Sequence, residues 1–292
     1  ENATTETDIY ISYDNLIQAI DVTETTDELV TALTVFGSGE LSIRNVNPIG
    51  SDTMYDFSYF TDNWEDWMSE DLKDKILAWD AKVSGSQTLF SNTVEDIMDG
   101  YATLAGYTTT LETLQLEYDA LEQQKIALIQ AGDSLTSINS DLASKQAEID
   151  NAQADVDAWD AHVSGSLTII SDIQDDASLS SNFTGADAEQ LQPFIIESTY
   201  INDNFVVFDT TSSSSVQQES LNLYNQGESV LSRISEPRYT FSVDAVNFMM
   251  IKEFETFIDQ FELGAIINLE IKEGVVVYPV LLGFDIDYDN PE

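Results

Sequence analysis

The chain has 292 residues, 42% of them hydrophobic, and carries 54 acidic against 10 basic side chains for a formal net charge of −44. That length and apolar content suffice for one large domain or two ordinary ones with real cores, while the charge excludes a nucleic-acid-binding face, which needs Lys and Arg to replace phosphate counterions, and disfavours an anionic membrane surface. With no Cys there is no disulfide, thiolate metal site or Cys nucleophile, and no apolar run approaches the roughly 18 residues that span a bilayer.

The sequence opens on Glu-Asn-Ala-Thr-Thr, without an initiator Met or a signal peptide, and reads as the middle of something longer. Residues 8–46 hold three short apolar runs, the last two separated by the turn Gly37-Ser-Gly39. They are Asp8-Ile-Tyr-Ile-Ser-Tyr13, Leu29-Val-Thr-Ala-Leu-Thr-Val-Phe36 and Leu41-Ser-Ile-Arg-Asn-Val46, and each is predicted to be a strand.

Between Pro48 and Pro193 the chain has no proline, and most of that stretch has a helical pattern. Apolar positions keep a four-three spacing through Leu72, Ile76, Trp79, Val83, Phe90, Ile97, Leu104, Tyr107, Leu111, Leu114, Tyr118, Leu121 and Leu128. Such a 3.5-residue period gives a helix one seam that must bury against another helix. Ser86, Thr93, Gly100 and Lys125 fall on the same line as its weak points. Ser69, followed by Glu70 and Asp71, is the predicted N-cap, with acids where the helix dipole favours them. Gly132 suits a left-handed C-terminal position, and Asp133 or Ser134 can cap a second helix.

That second helix carries its seam on Leu135, Ile138, Leu142, Lys145, Ile149, Ala152, Val156, Trp159, Val163, Ile170 and Ile173. A turn of a few residues between two such helices predicts an antiparallel coiled-coil hairpin. If straight, its first arm would be about 95 Å long at ~1.5 Å per residue. Lys125 and Lys145 lie on the seam, and their stems are expected to pack along it while the amines reach nearby acids. Leu89, Val94, Met98 and Tyr101 form a second apolar set off the seam, which calls for a further surface, either a fold-back or a neighbouring subunit.

One segment occurs twice. AWDAKVSGSQTLFS at 78–91 and AWDAHVSGSLTIIS at 158–171 agree at ten of fourteen positions. The simplest origin is duplication of a helical element. Gly costs ~1 kcal/mol relative to Ala in a helix interior, so each Ser-Gly-Ser is expected to kink or end its helix. Trp79 and Trp159, on different arms, are read as core residues rather than as a ligand-binding pair.

Beyond the helices, Phe194–Phe208 is again strand-like, and residues 215–235 form an amphipathic helix ended before Pro237. Strands are then predicted at Tyr239–Val246, Ile266–Ile271 and Val275–Ile286. Strands on both sides of a long helical excursion define an α+β class: a β-rich domain interrupted by a helical hairpin. Its parts are residues 1–68, the hairpin insertion 69–190, and residues 191–292.

No catalytic, cofactor-binding or metal-binding residue is assigned. A Ser-His-Asp triad would have to use His162, the sole histidine, which sits just off a helical seam. Gly37-Ser-Gly39 is too short for a phosphate loop and lacks its Lys. Asp285, Asp287 and Asp289 alternate at the end of the last strand but lack the Gly and distal Glu of a calcium loop, so they are read as a solvated strand end. Glu65-Asp66 and Glu70-Asp71 are read as helix N-terminal charges. Asn182-Phe-Thr184 fits a glycosylation sequon, with no secretory context to give it weight.

Three stretches carry a family resemblance. The first holds Tyr13-Asp-Asn-Leu-Ile17, Glu28-Leu-Val-Thr-Ala-Leu-Thr-Val-Phe-Gly37, Leu41-Ser-Ile-Arg-Asn-Val-Asn-Pro48 and Asp56-Phe-Ser-Tyr-Phe60. The second is Pro193-Phe-Ile-Ile-Glu-Ser-Thr-Tyr200 with Asn202-Asp-Asn-Phe-Val206. The third runs from Arg238-Tyr-Thr-Phe-Ser-Val-Asp-Ala-Val-Asn-Phe248 through Glu262-Leu-Gly264 to Asp287-Tyr-Asp-Asn-Pro291. Together they resemble the tail-tip (tail-associated, baseplate hub) proteins of long-tailed phages and prophages. The resemblance implies a structural, non-enzymatic homotrimer in the virion tail that closes the tail tube, with tail-tube, distal-tail and fibre proteins as partners and no cofactor. Acidic walls would suit a channel that passes DNA without holding it, and acidity suits a saline habitat equally. The rival class is a surface adhesin with the hairpin as stalk, and an enzyme ranks third.

The charge sets one expectation at once. Self-repulsion of this size destabilises the compact state, and salt shortens its reach to about 8 Å at physiological ionic strength. The melting temperature of the isolated chain is expected to rise steadily as NaCl or magnesium is added. A curve that stays flat from low to molar salt would mean that the acids are already well enough spaced or paired.

Overall fold

The computed structural model describes residues 5–12, 14, 16–38, 41–208, 210–246, 252 and 260–285. The chain is α+β, with a long helical hairpin inserted among strands. It divides into two compact units, one made of Glu1–Glu28 with Pro237–Glu292 and the other of Leu29–Glu236.

In the larger unit the central strand is β3 (Ala32–Ser38), paired antiparallel with β4 (Thr53–Tyr55) and parallel with β5 (Glu197–Val206). Parallel neighbours need a long crossover, and here the crossover includes the entire helical hairpin. Leu33 and Val35 are fully buried, so the middle of β3 is core. The predicted strand at Leu41–Val46 is instead a turn with one isolated bridge, Phe36 to Ser42. Its Val46 N–H bonds the Ile43 carbonyl at 2.9 Å, and Leu41, Ile43 and Val46 all plug the core. A tight loop that buries its apolar residues has the same composition as a strand, which is why the two were confused.

Two short helices, α1 (Ser58–Asp62) and α2 (Trp64–Trp67), lead into α3 (Glu70–Ala131). The Ser69 hydroxyl accepts the Leu72 N–H, as expected of the cap, and Glu70 and Asp71 stand in the first turn. Gly132, at φ 76°, ends the helix, with its N–H on the Ile129 carbonyl and the Asp133 N–H on that of Leu128. The return helix is α4 (Thr136–Ala177).

Both helices run unbroken through their Ser-Gly-Ser sites, so neither site ends its helix. Gly85 and Gly165 lie on exposed faces with nothing near a would-be Cβ. Their loss of helix propensity is about 1 kcal/mol each, small beside the burial of Phe90, Val163 and Ile170 that flank them. Tertiary packing overrides the local preference.

After α4 come α5 (Leu179–Asn182), α6 (Ala186–Leu191) and a 3-10 turn at Gln192–Phe194, then β5 and the amphipathic α7 (Ser213–Ile234). One core joins Leu33, Val35 and Met54 of the sheet to Phe90, Val94 and Ile97 of α3, Ile170 of α4, and Leu223 and Leu231 of α7. Tyr101 packs at its border. Val94 and Tyr101 are therefore covered within the chain and call for no neighbouring subunit, whereas Leu89 stays 55% exposed. A second core holds the base of the hairpin, where Leu72, Ile76 and Trp79 meet Phe57, Ala177, Phe183 and Leu191.

Towards the tip only two helices face each other. Beyond Gly100, Leu111 is the one α3 residue counted as buried. Seam residues such as Leu104, Tyr107 and Leu114 remain half-buried, because nothing in the unit covers the open side of the pair.

The smaller unit pairs β1 (Thr5–Ile11) parallel with β7 (Ala265–Lys272), which continues antiparallel into β8 (Val275–Val277). A two-stranded ribbon joins β2 (Ile17–Thr25) to β6 (Arg238–Ala245). Ile9, Ile11, Leu16, Ile17, Ala265, Ile267 and Leu269 make its core. The ribbon strand β2 escaped the sequence reading because most of its side chains are exposed, which leaves little apolar alternation to detect. The predicted final strand is shorter than expected, since Pro279 has no N–H to donate. Its carbonyl still accepts the Ile267 N–H at 3.0 Å.

The glycines test which force governs the hairpin. A Cβ on Gly100 would stand 2.7 Å from Val163 Cγ2 in the closed seam, whereas one on Gly85 or Gly165 would meet nothing. Gly85→Ala and Gly165→Ala are each expected to raise stability by about 1 kcal/mol, and Gly100→Ala to lower it. Urea unfolding of the three variants reads the sign directly.

Candidate functional site

The larger unit contains a groove of about 710 Å³. One wall is a stripe of α3, with Ile76, Asp80, Val83, Ser84 and Gln87 on one helical face. The other is a stripe of α7, with Tyr224, Glu228, Leu231 and Ser232. Spacings of three and four residues place each set on a common face. The floor comes from β4 and the segment after it, through Met54, Tyr55 and Phe57.

The floor is held rigidly. Tyr55 stacks on Phe57 with centroids 5.8 Å apart, and the Trp79 ring stands 6.2 Å from Phe57. Trp79 Nε1 donates to the Ala177 carbonyl at 2.8 Å, which satisfies the one polar atom of a side chain only 6% exposed. Asp56 is tied down by the Ser235 hydroxyl at 2.7 Å and the Ser58 N–H at 2.9 Å. Burial, and next the Glu228 carboxylate, push the Tyr224 phenol up to about 12, so it is a neutral hydroxyl at physiological pH.

The duplicated segments lie on opposite arms of the hairpin, and cross-arm contacts fix their register. Trp79 meets Ala177, Asp96 meets His162 and Ser166, and Lys145 meets Glu117. The copies thus run towards each other and end side by side, with Phe90 and Ile170 in one core. At the position where one copy has Lys82 and the other His162, each side chain reaches an aspartate on the opposite arm. Lys82 Nζ stands 3.2 Å from Asp176, and His162 Nε2 stands 3.0 Å from Asp96. The duplication supplies a clasp on either side of the meeting point.

His162 is exposed beside Trp159, and the Ser166 hydroxyl donates to Asp96 at 2.6 Å. The carboxylate sits between serine and imidazole, so no imidazole can take the Ser166 proton and the trio has no nucleophile–base pair. Trp79 is core and Trp159 half-buried, on separate arms as expected. The Lys145 amine reaches out to Glu117 at 2.8 Å and Glu148 at 2.6 Å, which is the expected snorkelling. Lys125 is half-buried. Glu65 and Asp66 occupy the first turn of α2. The Asn182 side-chain amide donates to the Asp176 and Ser178 carbonyls at 2.8 Å each, closing the end of α4.

Asp287, Asp289 and Gly39 lie outside the described residues. Among the described residues no group of three or more His, Cys, Asp or Glu side chains is placed to hold a metal ion. No described helix is long and apolar enough to cross a membrane. Sequence reasoning missed the groove, because its walls come from helices more than a hundred residues apart; the only signal was that Asp80, Ser84 and Gln87 interrupt the outer face of α3.

Among known proteins, the chain is similar to an uncharacterized SPbeta prophage-derived protein, YomG, of Bacillus subtilis strain 168. The two are 27% identical over 289 residues, which take in 93% of this chain and 31% of the relative. The chain therefore spans about a third of the length of that relative. No family model and no solved structure matches. The similarity points to a phage-related protein.

The Asp96 clasp has a pH signature. The Ser166 hydroxyl, and to a smaller degree His162, hold the Asp96 carboxyl below its ordinary value of 3.8, while burial opposes them. A depressed carboxyl contributes stability that is present above its unfolded value and is lost as pH falls through its folded value. Ser166→Ala is expected to melt below the wild type at neutral pH, with the gap closing as the medium is acidified below pH 3.8. Thermal melts across that range check it, and a gap independent of pH would place the serine's contribution elsewhere.

Proposed function

We propose that the chain is a structural component of a phage tail tip, a baseplate-hub protein that acts as a homotrimer to close or extend the tail tube and to support host attachment. The observation that carries this reading is the match to a prophage-derived protein across nearly the whole chain, hairpin and flanks alike. The tail-hub resemblance of both flanks supports it. So does the architecture: in each of the three sheets a strand before the hairpin pairs with a strand after it. In this reading the partners are tail-tube, distal-tail and fibre proteins. The chain's acidity suits a passage for DNA that must not retain it.

Particles released from the host that carries the gene provide the test. Gold-labelled antibody against the chain is expected at the tail end remote from the capsid, and cross-linking of those particles should give a band at three times the chain mass. Label on the capsid, or particles that lack the chain, would overturn the reading. Label at the tail end with a cross-linked monomer alone would keep the location and remove the trimer.

A further inference from the structure

We propose that the groove between α3 and α7 seats a basic, apolar-flanked segment of a partner protein, with a Lys or Arg side chain among the rim carboxylates and its neighbours on the aromatic floor. This goes beyond the tail-tip reading and does not depend on it.

Three observations converge. The first is shape. A groove of about 710 Å³ lies within the ~300–1,000 Å³ typical of sites that enclose a ligand group. Its floor is preorganised by the Tyr55–Phe57–Trp79 ring cluster and by the Trp79–Ala177 bond, so little ordering is needed on binding.

The second is where the scarce cations go. Three lysines stand on the same stretch of α3 that forms the groove wall, and all three serve other partners. Lys73 lies over the Trp64 ring at 4.5 Å and beside Asp74. Lys75 holds Asp71 and Asp187, at 2.8 and 2.7 Å. Lys82 holds Asp176 and Asn182, at 3.2 and 2.9 Å. Among the described residues no Lys, Arg or His lines the groove. Asp62, Asp80 and Glu228 stand on its rim, and none makes an ion pair among the described residues. α3 is thus electrostatically two-sided: its basic groups neutralise the chain's own acids, and the groove face is left negative over an apolar floor.

The third is what the lining can recognise. An anion would be repelled. Phe57 and Trp79, 3% and 6% exposed, back the floor, and the apolar surface left open belongs to Tyr55, Leu77, Val83 and Tyr224. A cation on an alkyl stem matches both halves of the groove, because its stem packs on the apolar floor while its head stays at the rim. Tyr224 adds an aromatic wall beside Glu228, and a ring next to a carboxylate attracts a cation twice over.

The experiment uses the full chain and dye-labelled peptides, read by fluorescence anisotropy in molar salt, where diffuse attraction to an acidic protein is screened. The probes are acetyl-Leu-Arg-Leu-Lys-Leu-amide, its Glu-for-basic counterpart and its Gly-for-Leu counterpart. The first is expected to bind and the other two to bind at least about tenfold more weakly, equivalent to ~1.4 kcal/mol. Asp80→Asn with Glu228→Gln, and separately Ser84→Trp as a plug, should each weaken the first peptide by about tenfold or more. Asp141→Asn with Asp155→Asn, which removes the same charge from the far arm of α4, should leave it unchanged. Circular dichroism confirms that each variant keeps its helix content. No binding of the first peptide, equal binding of the acidic peptide, or equal weakening by the far-arm control would each overturn the proposal.

Discussion

The larger unit depends on one packing event: residues 90–97 of α3 enter the same core as the central strand. Phe90, Val94 and Ile97 are buried against Leu33, Val35 and the α7 residues Leu223 and Leu231. Without that contact the hairpin would be a lone pair of helices with one seam each. With it, the near half of the hairpin becomes a layer of the fold, and α3 continues through a Ser-Gly-Ser that its own propensity would break. Two glycines record how close the layers come. A Cβ on Gly227 would sit 2.8 Å from Val35 Cγ2, and one on Gly100 would sit 2.7 Å from Val163 Cγ2. The groove adjoins the same packing, since α3 and α7 share a core with the sheet through Val94 and Leu223 and also line the groove on either side of Tyr55.

Charge is the second constraint, and the chain meets it by placement. With 10 basic residues for 54 acidic ones, most carboxylates have no cation to meet. Three of the lysines stand where two segments must stay together: Lys75 joins α3 to α6, Lys82 clasps the hairpin as the His162 imidazole does on the other side, and Lys145 holds its outer part. In the smaller unit Arg238 reaches Glu28 at 2.7 Å across the end of the β2–β6 ribbon. These pairs are largely exposed, where each contributes ~0–1 kcal/mol. Their effect is to choose a register, while the apolar seam supplies most of the stability.

The side chains that chemistry would recruit are engaged in holding elements together: the sole histidine in a clasp, the Asn182 amide in a helix end, Trp79 in the base of the hairpin. The groove, by contrast, is lined by carboxylates that make no ion pair among the described residues.

How much was legible in the sequence depended on the range of the interaction involved. Helix periodicity, the Ser69 cap, the Gly132 stop and the snorkelling of Lys145 are local or follow from one helix meeting its sequence neighbour, and the sequence by itself determined them. So too did the α+β class, since strands on either side of a hairpin have few partners but each other. The unbroken helices through Gly85 and Gly165, the Leu41–Val46 turn and the exposed β2 ribbon were decided by the tertiary structure alone. In each case the local signal was weak or contrary, at about 1 kcal/mol per glycine, and burial against residues distant in sequence outweighed it. Val94 and Tyr101 make the same point: sequence showed that they needed a partner surface, and only the folded chain decided that α7 and the sheet would provide it, because those partners lie far along the chain and leave no periodic trace.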